Sequence, residues 1–270
     1  MKRLIIQITF FITTNLNIKG FFEGRIYQGA SKIICVPGLN CYSCPGALGS
    51  CPIGSLQAVI GSLRYRISYY IIGLLALFGL AFGRLICGWL CPFGLVQDLI
   101  HRIRVKKYTV PQRLDHGMRY IKYVILIVFV ILMPMFLTND FGMARPYFCQ
   151  YICPSGTLFG GIPLMISNPT LRQAAGLLFN WKAGLLFVFL GTSLFIYRPF
   201  CKYICPLGAI YAFFNKYSLF QFKIDKTKCT HCHKCEKACK MQVPVMSQPN
   251  HKECFRCGDC KKACPAKAIK

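Results

Sequence analysis

Four copies of one short motif, Cys-Pro-x-Gly, lie in the apolar part of this chain. The copies begin at Cys51, Cys91, Cys153 and Cys205. Proline fixes the backbone angle φ and cannot continue a preceding helix, and glycine permits a tight turn. Each copy therefore predicts a break between two helices. Four copies in one chain of 270 residues also predict an internally repeated architecture.

Composition divides the chain into two parts. Residues 1–217 are rich in Leu, Ile and Phe, whereas residues 218–270 are rich in Lys and Cys. A domain of about fifty residues is hard to stabilise by burial alone, and bound metal clusters can supply what is missing. The whole chain is 54% apolar, which is typical of a membrane protein. We therefore expect a membrane domain over 1–217 and a small separate domain over 218–270.

Apolar stretches predict about four membrane-spanning helices, since a bilayer needs about 20 apolar residues. The first lies within 1–20, where a basic start precedes an apolar stretch. A signal peptide is the alternative there, although no Ala-x-Ala-like cleavage site follows. The other spans are predicted at Tyr69–Ile86, Tyr120–Leu137 and Trp181–Tyr197.

Two shorter apolar stretches follow a Cys-Pro-x-Gly turn directly, Ser55–Leu63 and Thr157–Ile166. They are too short to span and predict half-helices buried within protein. The expected fold is thus an α-helical polytopic membrane protein with about four transmembrane helices in two pseudo-repeats, roughly 1–107 and 108–217. Both halves begin and end on the same side, so their pseudo-two-fold axis runs along the membrane normal.

The distribution of Lys and Arg predicts the orientation. The loop over 84–122 carries eight of them, whereas the loop over 138–181 carries two. Because basic loops stay on the cytoplasmic side, both termini and the C-terminal domain are expected in the cytoplasm, with the chain in the cytoplasmic (inner) membrane.

The C-terminal part contains two consecutive cysteine runs of spacing Cys-x2-Cys-x2-Cys-x3-Cys. This is the ligand pattern of a bacterial-type ferredoxin with two [4Fe–4S] clusters, in which the fourth cysteine of each run binds the other cluster. One cluster would take Cys229, Cys232, Cys235 and Cys264, and the other Cys254, Cys257, Cys260 and Cys239. Zinc is the alternative for Cys-x2-Cys pairs, but the tandem spacing favours iron–sulfur. We expect a small α+β domain over 218–270.

The remaining cysteines predict two further clusters, because the Cys-Pro-x-Gly copies alternate between the outer and inner faces of the membrane domain. The inner-face set is Cys87, Cys91, Cys201 and Cys205. The outer-face set is Cys44, Cys51, Cys149 and Cys153, with Cys41 as the alternative to Cys44. Thiolate is the preferred ligand of iron–sulfur clusters, and the helix that follows each turn offers amides to their negative charge. Two structural alternatives stay open: the Cys-x3-Cys pairs could be small buried hydrophobes, and Cys35, Cys41, Cys44 and Cys51 could form disulfides.

The formal charge of +25 does not indicate a nucleic-acid partner, because the basic residues lie at membrane ends and among cluster ligands. No nucleophilic triad, phosphate loop or dinucleotide fingerprint is evident in the sequence. The chain is therefore not expected to carry a catalytic residue, and the clusters are its expected cofactors.

The segments Gly83-Arg84-x2-Cys87-Gly88-Trp89-Leu90-Cys91-Pro92-Phe93-Gly94 and Cys201-Lys-Tyr-Ile-Cys205-Pro-Leu-Gly, followed by the tandem tail, resemble the NapH/NosR/CcoG group of membrane polyferredoxins. The resemblance covers most of 70–265. It implies four or more membrane helices and cytoplasmic [4Fe–4S] clusters. It also implies electron transfer between quinol or cytoplasmic carriers and proteins on the other face, or help in metal-centre maturation.

This chain departs from the group in two ways. Its outer cysteines exceed the two Cys-x3-Cys-Pro motifs expected of the NapH type, and it shows no flavin-carrying extracellular domain of the NosR kind. We therefore expect an electron-transfer subunit of a redox complex, surrounded by membrane lipid. Its donor would be a cytoplasmic ferredoxin-like carrier that docks on the lysine-rich tail. Its acceptor would be an extracytoplasmic flavoprotein or reductase subunit. A NapH-type quinol dehydrogenase module and a maturation or redox-sensing factor are the alternatives.

One physical requirement follows from this arrangement. The hydrocarbon core is about 30 Å thick, so clusters confined to opposite surfaces would lie too far apart for one fast tunnelling step. The Cys-Pro turns must dip into the membrane, or another carrier must bridge them.

Overall fold

A computed structural model of the protein describes residues 2–62, 68–137 and 144–270. The chain in these ranges is helical and forms no β-strand. The helices of the first half are α1 (Lys2–Thr14), α2 (Lys19–Glu23), α3 (Pro52–Gly61), α4 (Tyr69–Phe82), α5 (Leu85–Trp89) and α6 (Pro92–His101), with a 3₁₀ turn at Ala30–Ile33.

The second half repeats this succession of long and short helices. A continuous helix over Gln112–Phe136 consists of α7 (Gln112–Met118), α8 (Ile121–Ile125), a π-helical stretch Leu126–Leu132 and α9 (Met133–Phe136). It is followed by α10 (Tyr147–Tyr151), α11 (Pro154–Gly156), a π-helical stretch Thr157–Gly161, α12 (Ile162–Ser167), α13 (Pro169–Gln173), α14 (Leu177–Phe195), α15 (Pro199–Tyr203) and α16 (Pro206–Phe214). The C-terminal part adds α17 (Lys234–Lys237) and α18 (Asp259–Ala263).

Every Cys-Pro-x-Gly copy begins a helix. The four motif cysteines are N-cap residues with extended backbone angles, and the proline after each is the first helical residue of α3, α6, α11 or α16. Proline suits that position because the first turn of a helix leaves its N–H groups unpaired in any case. The half-helix predicted at Ser55–Leu63 lies within α3 up to Gly61, and Leu63 falls outside the described residues. The one predicted at Thr157–Ile166 lies within the helix that begins at Pro154.

Within the described ranges, two helices are long and apolar enough to cross a membrane, Gln112–Phe136 and Leu177–Phe195. The apolar stretch of α1 and the whole of α4 are shorter than a full span. The span predicted over Tyr69–Ile86 ends at Phe82, because Gly83 has φ +53° and turns the chain out of the helix. A residue with a side chain is strained at that angle, whereas glycine is not. The Gly83 position is also crowded, since a Cβ there would stand 2.6 Å from Asn215 Oδ1.

The two halves share one hydrophobic core, and each motif copy contributes one fully buried apolar side chain to it. Ile53 and Phe93 follow the motif proline in the first two copies, and Phe148 and Phe200 precede the first cysteine in the last two. All four side chains are fully buried. The Phe93 and Phe200 rings pack edge to face with centroids 5.1 Å apart, a favoured aromatic arrangement. Around them α6 packs on α1 and α14, and α3 packs on α4 and α9.

The C-terminal part, from residue 218 onward, docks on the preceding helical part of the chain through buried charges. The Glu253 carboxylate pairs with both Arg84 and Lys122, and all three side chains are buried. Arg256 donates to Phe82 O at 2.8 Å and to Asn215 O at 2.7 Å. Removing one partner from such a buried network leaves an uncompensated charge, so the network fixes the orientation of the docked part.

The α+β prediction for 218–270 is met only in its helical component. Besides α17 and α18, this part contains one isolated antiparallel bridge between Ile224 and Ile269, and none of its described residues forms a strand. Its small apolar core consists of Phe222, Val245, Cys260 and Ile269. Cys235, Cys239, Cys254 and Cys264 pack against this core.

Candidate iron–sulfur centres

The inner-face cysteines come together at the junction of the two halves. Cys87 lies in α5 and Cys201 in α15, and Cys91 and Cys205 are the N-caps of α6 and α16. All four are buried. Burial, and then the negative charge of the neighbouring Cys91 and Cys87 thiolates, raises the pKa of Cys201 to about 12. Four buried thiols this close would hold their thiolate forms only beside a strong positive charge.

Two buried arginines beside the inner-face cysteines each donate a hydrogen bond to the opposite half of the chain. Arg84 and Arg198 each stand three residues before the first cysteine of their pair. Arg84 Nη2 donates to Cys201 O at 3.0 Å, and Arg198 Nη1 donates to Cys87 O at 2.6 Å. Both guanidinium groups face the Phe255 ring, at 4.5 Å and 5.2 Å from its centroid. Each half therefore supplies one cation to the cysteine pair of the other half.

Each arginine has a buried carboxylate partner. Arg198 pairs with Asp98 at 2.5 Å, and Arg3 pairs with the same carboxylate. Arg84 shares Glu253 with Lys122. Burial alone would raise the pKa of Glu253, but the Arg84 and Lys122 cations outweigh it and lower that pKa to about 2. The carboxylates are thus ionised, and they hold the two guanidinium groups in place.

The outer-face cysteines form a second group. A cavity of about 540 Å³ is lined by Cys41, Cys51, Cys149 and Cys153. A Cβ on Gly156 would lie 3.6 Å from Cys41 Sγ, and one on Gly54 would lie 3.8 Å from Cys149 Sγ. The motif glycines therefore contact thiols from the opposite half. Lys182 Nζ lies on the same cavity and donates to Cys149 O at 3.1 Å.

Cys44, the first choice for this set, lies elsewhere. Its thiol is buried 3.6 Å from Asn15 Oδ1 and does not line the cavity. The structure places Cys41, the alternative, at the cavity instead. Cys35, left over in the sequence, is buried and donates to Ser55 Oγ at 3.4 Å. None of the 18 cysteines is disulfide-bonded in the structure.

The tail cysteines separate into two groups. Cys229, Cys232, Cys235 and Cys264 line one small cavity of about 20 Å³. In the other group, burial and then the charges of Cys254, Cys257 and Cys239 raise the pKa of Cys260 to about 12. Each group combines three cysteines of one run with the fourth cysteine of the other run.

Each of the four groups therefore presents four thiols and suits a [4Fe–4S] cluster, in which every thiolate binds a different iron atom. No three His, Cys, Asp or Glu side chains of the described ranges are placed to hold a single metal ion. The donor sets fit cubane clusters, and the positive charge of the iron would hold the buried thiols as thiolates.

Sequence reasoning missed several residues of these centres. Gln97 Nε2 donates to Cys201 Sγ at 3.1 Å, and Gln57 Nε2 donates to Cys149 Sγ at 3.3 Å. The signal was present, since each glutamine stands six residues after a motif cysteine. Arg198 has a comparable signal, because it occupies the same position before Cys201 that Arg84 occupies before Cys87.

Comparison with known proteins gives a family. A family model described as a 4Fe-4S binding domain matches residues 67–111, 122–165 and 178–227, together slightly more than half of the chain. An uncharacterised protein of Methanocaldococcus jannaschii is 33% identical over 179 residues, which are 64% of this chain and 57% of that protein.

Two relatives with descriptive names are more distant. The regulatory protein NosR of Stutzerimonas stutzeri is 27% identical over 179 residues, 62% of this chain and 21% of NosR. The ferredoxin-type protein NapH of Escherichia coli is 24% identical over 180 residues, 64% of this chain and 54% of NapH. The matches thus span only part of each relative's own length. No solved structure matches the chain.

Proposed function

Because the chain belongs to the 4Fe-4S binding domain family, we propose that it carries electrons through four [4Fe–4S] clusters between a cytoplasmic donor and an extracytoplasmic acceptor. The resemblance to the NapH and NosR group is confirmed, and with it the general class of a ferredoxin-type iron–sulfur electron-transfer protein. The number of clusters, the route and the two partners are the proposal. The observation that carries it is a chain of direct contacts that joins the four cysteine groups in one order.

The first contact joins the two tail groups. Cys235 belongs to one group and Cys239 to the other, and α17 ends between them at Lys237. Both pack against the same small core, together with Cys254 and Cys264. The two tail clusters would therefore be neighbours within one apolar environment.

The second contact joins the tail to the inner-face group. Gly88, between Cys87 and Cys91, lies so close to the tail that a Cβ on it would stand 2.6 Å from Phe255 O. Phe255 in turn stands between Cys254 and Cys257. The tail cluster held by Cys254 would thus face the inner cluster across a single layer of backbone.

The third contact joins the inner-face and outer-face groups. The loop after Cys35 reaches down to the inner motif, and a Cβ on Gly38 would stand 3.1 Å from Cys91 Cα. The next residue, Leu39, lines the outer cavity. Gly38 and Leu39 are adjacent in the chain, so two consecutive residues link the inner turn to the outer group. This supports clusters that approach each other within the membrane, which the thickness of the bilayer requires.

The tail group that contains Cys232 is the exposed end of this series of cysteine groups, and its surface suits the docking of a cytoplasmic electron donor. Cys232 is exposed, and exposed lysines surround its group, at Lys226, Lys228, Lys234 and Lys237. A basic surface over a redox centre speeds the docking of an acidic carrier. In this orientation both termini would lie in the cytoplasm. The spans predicted within 1–20 and at Tyr69–Ile86, which contain the shorter helices α1 and α4, would complete four with the two long helices. The outer cavity would face an extracytoplasmic flavoprotein or reductase subunit.

The test combines metal content with a matched pair of variants. Four cubanes correspond to about 16 iron atoms and about 16 acid-labile sulfides per chain. Cys41→Ser should lower both to about 12 and abolish electron transfer to ferricyanide enclosed in proteoliposomes, with dithionite-reduced ferredoxin supplied on the tail side. Cys44→Ser, three residues away, should change neither. Equal iron content and equal transfer in the two variants would refute the outer cluster.

A polar cavity favours one second candidate, a quinol dehydrogenase module. A space of about 390 Å³ lies between the start of α7 and the tail, lined among others by Asp115, His116, Arg119, Glu236 and His251. Such groups can bind a quinol head group and accept its protons. Quinol-dependent reduction of the tail clusters that persists in Cys41→Ser and is blocked by a quinol analogue would favour this candidate over the transmembrane route.

A further inference from the structure

The four Cys-Pro-x-Gly copies are of two kinds, which differ in the residue that stands three positions after the motif glycine. In the first half of the chain the motif extends to Cys-Pro-x-Gly-x2-Gln, which places Gln57 after Cys51 and Gln97 after Cys91. In the second half the same positions are aromatic, at Phe159 and Tyr211. The glutamines are therefore a property of the first half, and each belongs to a different cysteine group.

Gln97 is fully buried beside the inner group. Its Nε2 donates to Cys201 Sγ at 3.1 Å and to Phe93 O at 3.4 Å. Within the described residues its Oε1 has no hydrogen-bond partner. The carbonyl of Phe93 can only accept, so it fixes the amide with the nitrogen toward both acceptors.

Gln57 repeats this geometry beside the outer group. It is 1% exposed, and its Nε2 donates to Cys149 Sγ at 3.3 Å and to Ile53 O at 3.2 Å. Its Oε1 accepts from the Phe148 backbone N–H at 3.0 Å. This N–H can only donate, so the orientation of the Gln57 amide is fixed from both sides.

We propose that Gln57 and Gln97 are paired tuning residues, each of which raises the reduction potential of one cluster by donating a hydrogen bond to a ligand thiolate. Gln97 acts on the inner cluster through Cys201, and Gln57 acts on the outer cluster through Cys149. The inference rests on the proposed function for the presence of the two clusters. It goes beyond that function in assigning the control of their potentials to two side chains that bind no iron.

The physical reason is the charge of the cluster. Reduction adds one electron to the cluster and increases the negative charge on its thiolates, and a hydrogen bond to a charged acceptor is stronger than one to a neutral acceptor. The amide therefore stabilises the reduced cluster more than the oxidised cluster. Hydrogen bonds to the sulfur atoms are one of the factors that set iron–sulfur potentials.

Burial makes the thiolate the natural partner of each amide. A glutamine amide nitrogen carries two N–H donors. The carbonyl one turn earlier, Phe93 O or Ile53 O, accepts one of them, and the ligand sulfur accepts the other. Each glutamine reaches across to the other half, so the first half supplies the amides and the second half supplies the sulfur acceptors.

The test is a potentiometric titration of anaerobically purified full-length protein, followed by electron paramagnetic resonance of the reduced clusters. Methionine matches the length of glutamine but lacks the donor, so Gln97→Met should shift the inner cluster to a more negative potential and leave the others unchanged. Gln57→Met should shift only the outer cluster. Gln221→Leu, which alters an exposed glutamine bonded to Lys216 O, is the control that should shift none.

Iron content separates the failure of this inference from the failure of the proposed function. Full iron content in both methionine variants with no shift in any potential would overturn the tuning role while leaving the conduit intact. Loss of about four iron atoms from a variant, instead of a shift, would show that the glutamine holds the cluster and would also overturn the role. A wild-type chain with about 12 iron atoms would remove the outer cluster, and Gln57 with it, yet a shift in Gln97→Met would still support the inner assignment.

Discussion

At the scale of single residues, the contact at Gly88 decides whether the tail reaches the inner group. Gly88 lies in α5, with its Cα turned toward the backbone of Phe255. Real Cβ atoms do not approach a carbonyl oxygen as closely as 2.6 Å, so a side chain at this position must push the tail away. Elsewhere in a helix, replacing glycine by alanine is favourable by about 0.5–1 kcal/mol. A loss of stability on replacing Gly88 by alanine, instead of the usual gain, would therefore indicate the close approach between Gly88 and Phe255.

Gly88→Ala is expected to destabilise docking of the tail and to slow electron transfer from the tail clusters to the inner cluster. Gly184→Ala in α14 is the matched control, because a Cβ there meets nothing within 4 Å. Thermal unfolding in detergent and stopped-flow reduction of the clusters would measure both effects. A stabilised Gly88→Ala with normal transfer would contradict the close approach between the tail and the inner turn.

At the scale of elements, the docking of the tail depends on one carboxylate that pairs with two segments of the preceding chain, the turn before α5 and helix α8. Glu253 reaches Arg84, which precedes α5, and Lys122 in α8. Removing one partner from a buried ion network costs about 3–5 kcal/mol, because the other charges stay buried without compensation. Glu253→Gln should therefore lower stability by about that amount. Glu23→Gln, at an exposed position, should leave it unchanged.

The acid dependence of this network has a definite sign. The pKa of Glu253 in the folded protein, about 2, lies below the ordinary value of about 4.3. Its contribution is therefore complete above pH of about 4.3 and is lost only as the pH falls toward the folded-state pKa. Between pH 8 and 5 this carboxylate stays ionised, so its titration should not change protease release of the tail. Increased release of the wild-type tail, absent from Glu253→Gln, over that range would contradict the lowered pKa.

The elements also show how far the sequence alone can predict the structure. The helix starts at Cys51, Cys91, Cys153 and Cys205 followed from the chemistry of Pro and Gly, which acts locally. The end of α4 at Phe82 did not, because Leu85 and Ile86 resume the apolar stretch after Arg84, whereas the backbone angle of Gly83 ends the helix. The choice between Cys41 and Cys44 was not predictable either, since both lie in an irregular loop without a periodic pattern.

At the scale of the whole molecule, the repeat explains why the four cysteine groups lie in one series. Each half contributes two cysteine turns, and the turns of one half close against those of the other, with Arg84 and Arg198 exchanged between them. The spacing of the cysteines in the sequence predicts that these turns pair, but it does not predict how deep in the molecule each pair lies. Depth depends on the loop from Cys35 to Leu39, whose contact with Cys91 joins residues far apart in the chain. Long-range packing of this kind leaves no signature in local sequence.

A series makes a prediction that parallel routes would not. If electrons pass from the tail through the inner cluster to the outer cluster, Cys201→Ser should remove only the inner cluster and leave about 12 iron atoms per chain. The tail clusters should still be reduced at the normal rate, because Cys229 and its group lie upstream. The outer cluster should be reduced far more slowly, although its four thiols are unchanged. Stopped-flow absorbance, together with electron paramagnetic resonance of freeze-quenched samples, would separate reduction of the tail clusters from reduction of the outer cluster. Normal reduction of the outer cluster in Cys201→Ser would mean that electrons bypass the inner group, and the contact at Gly38 would then not be part of the route.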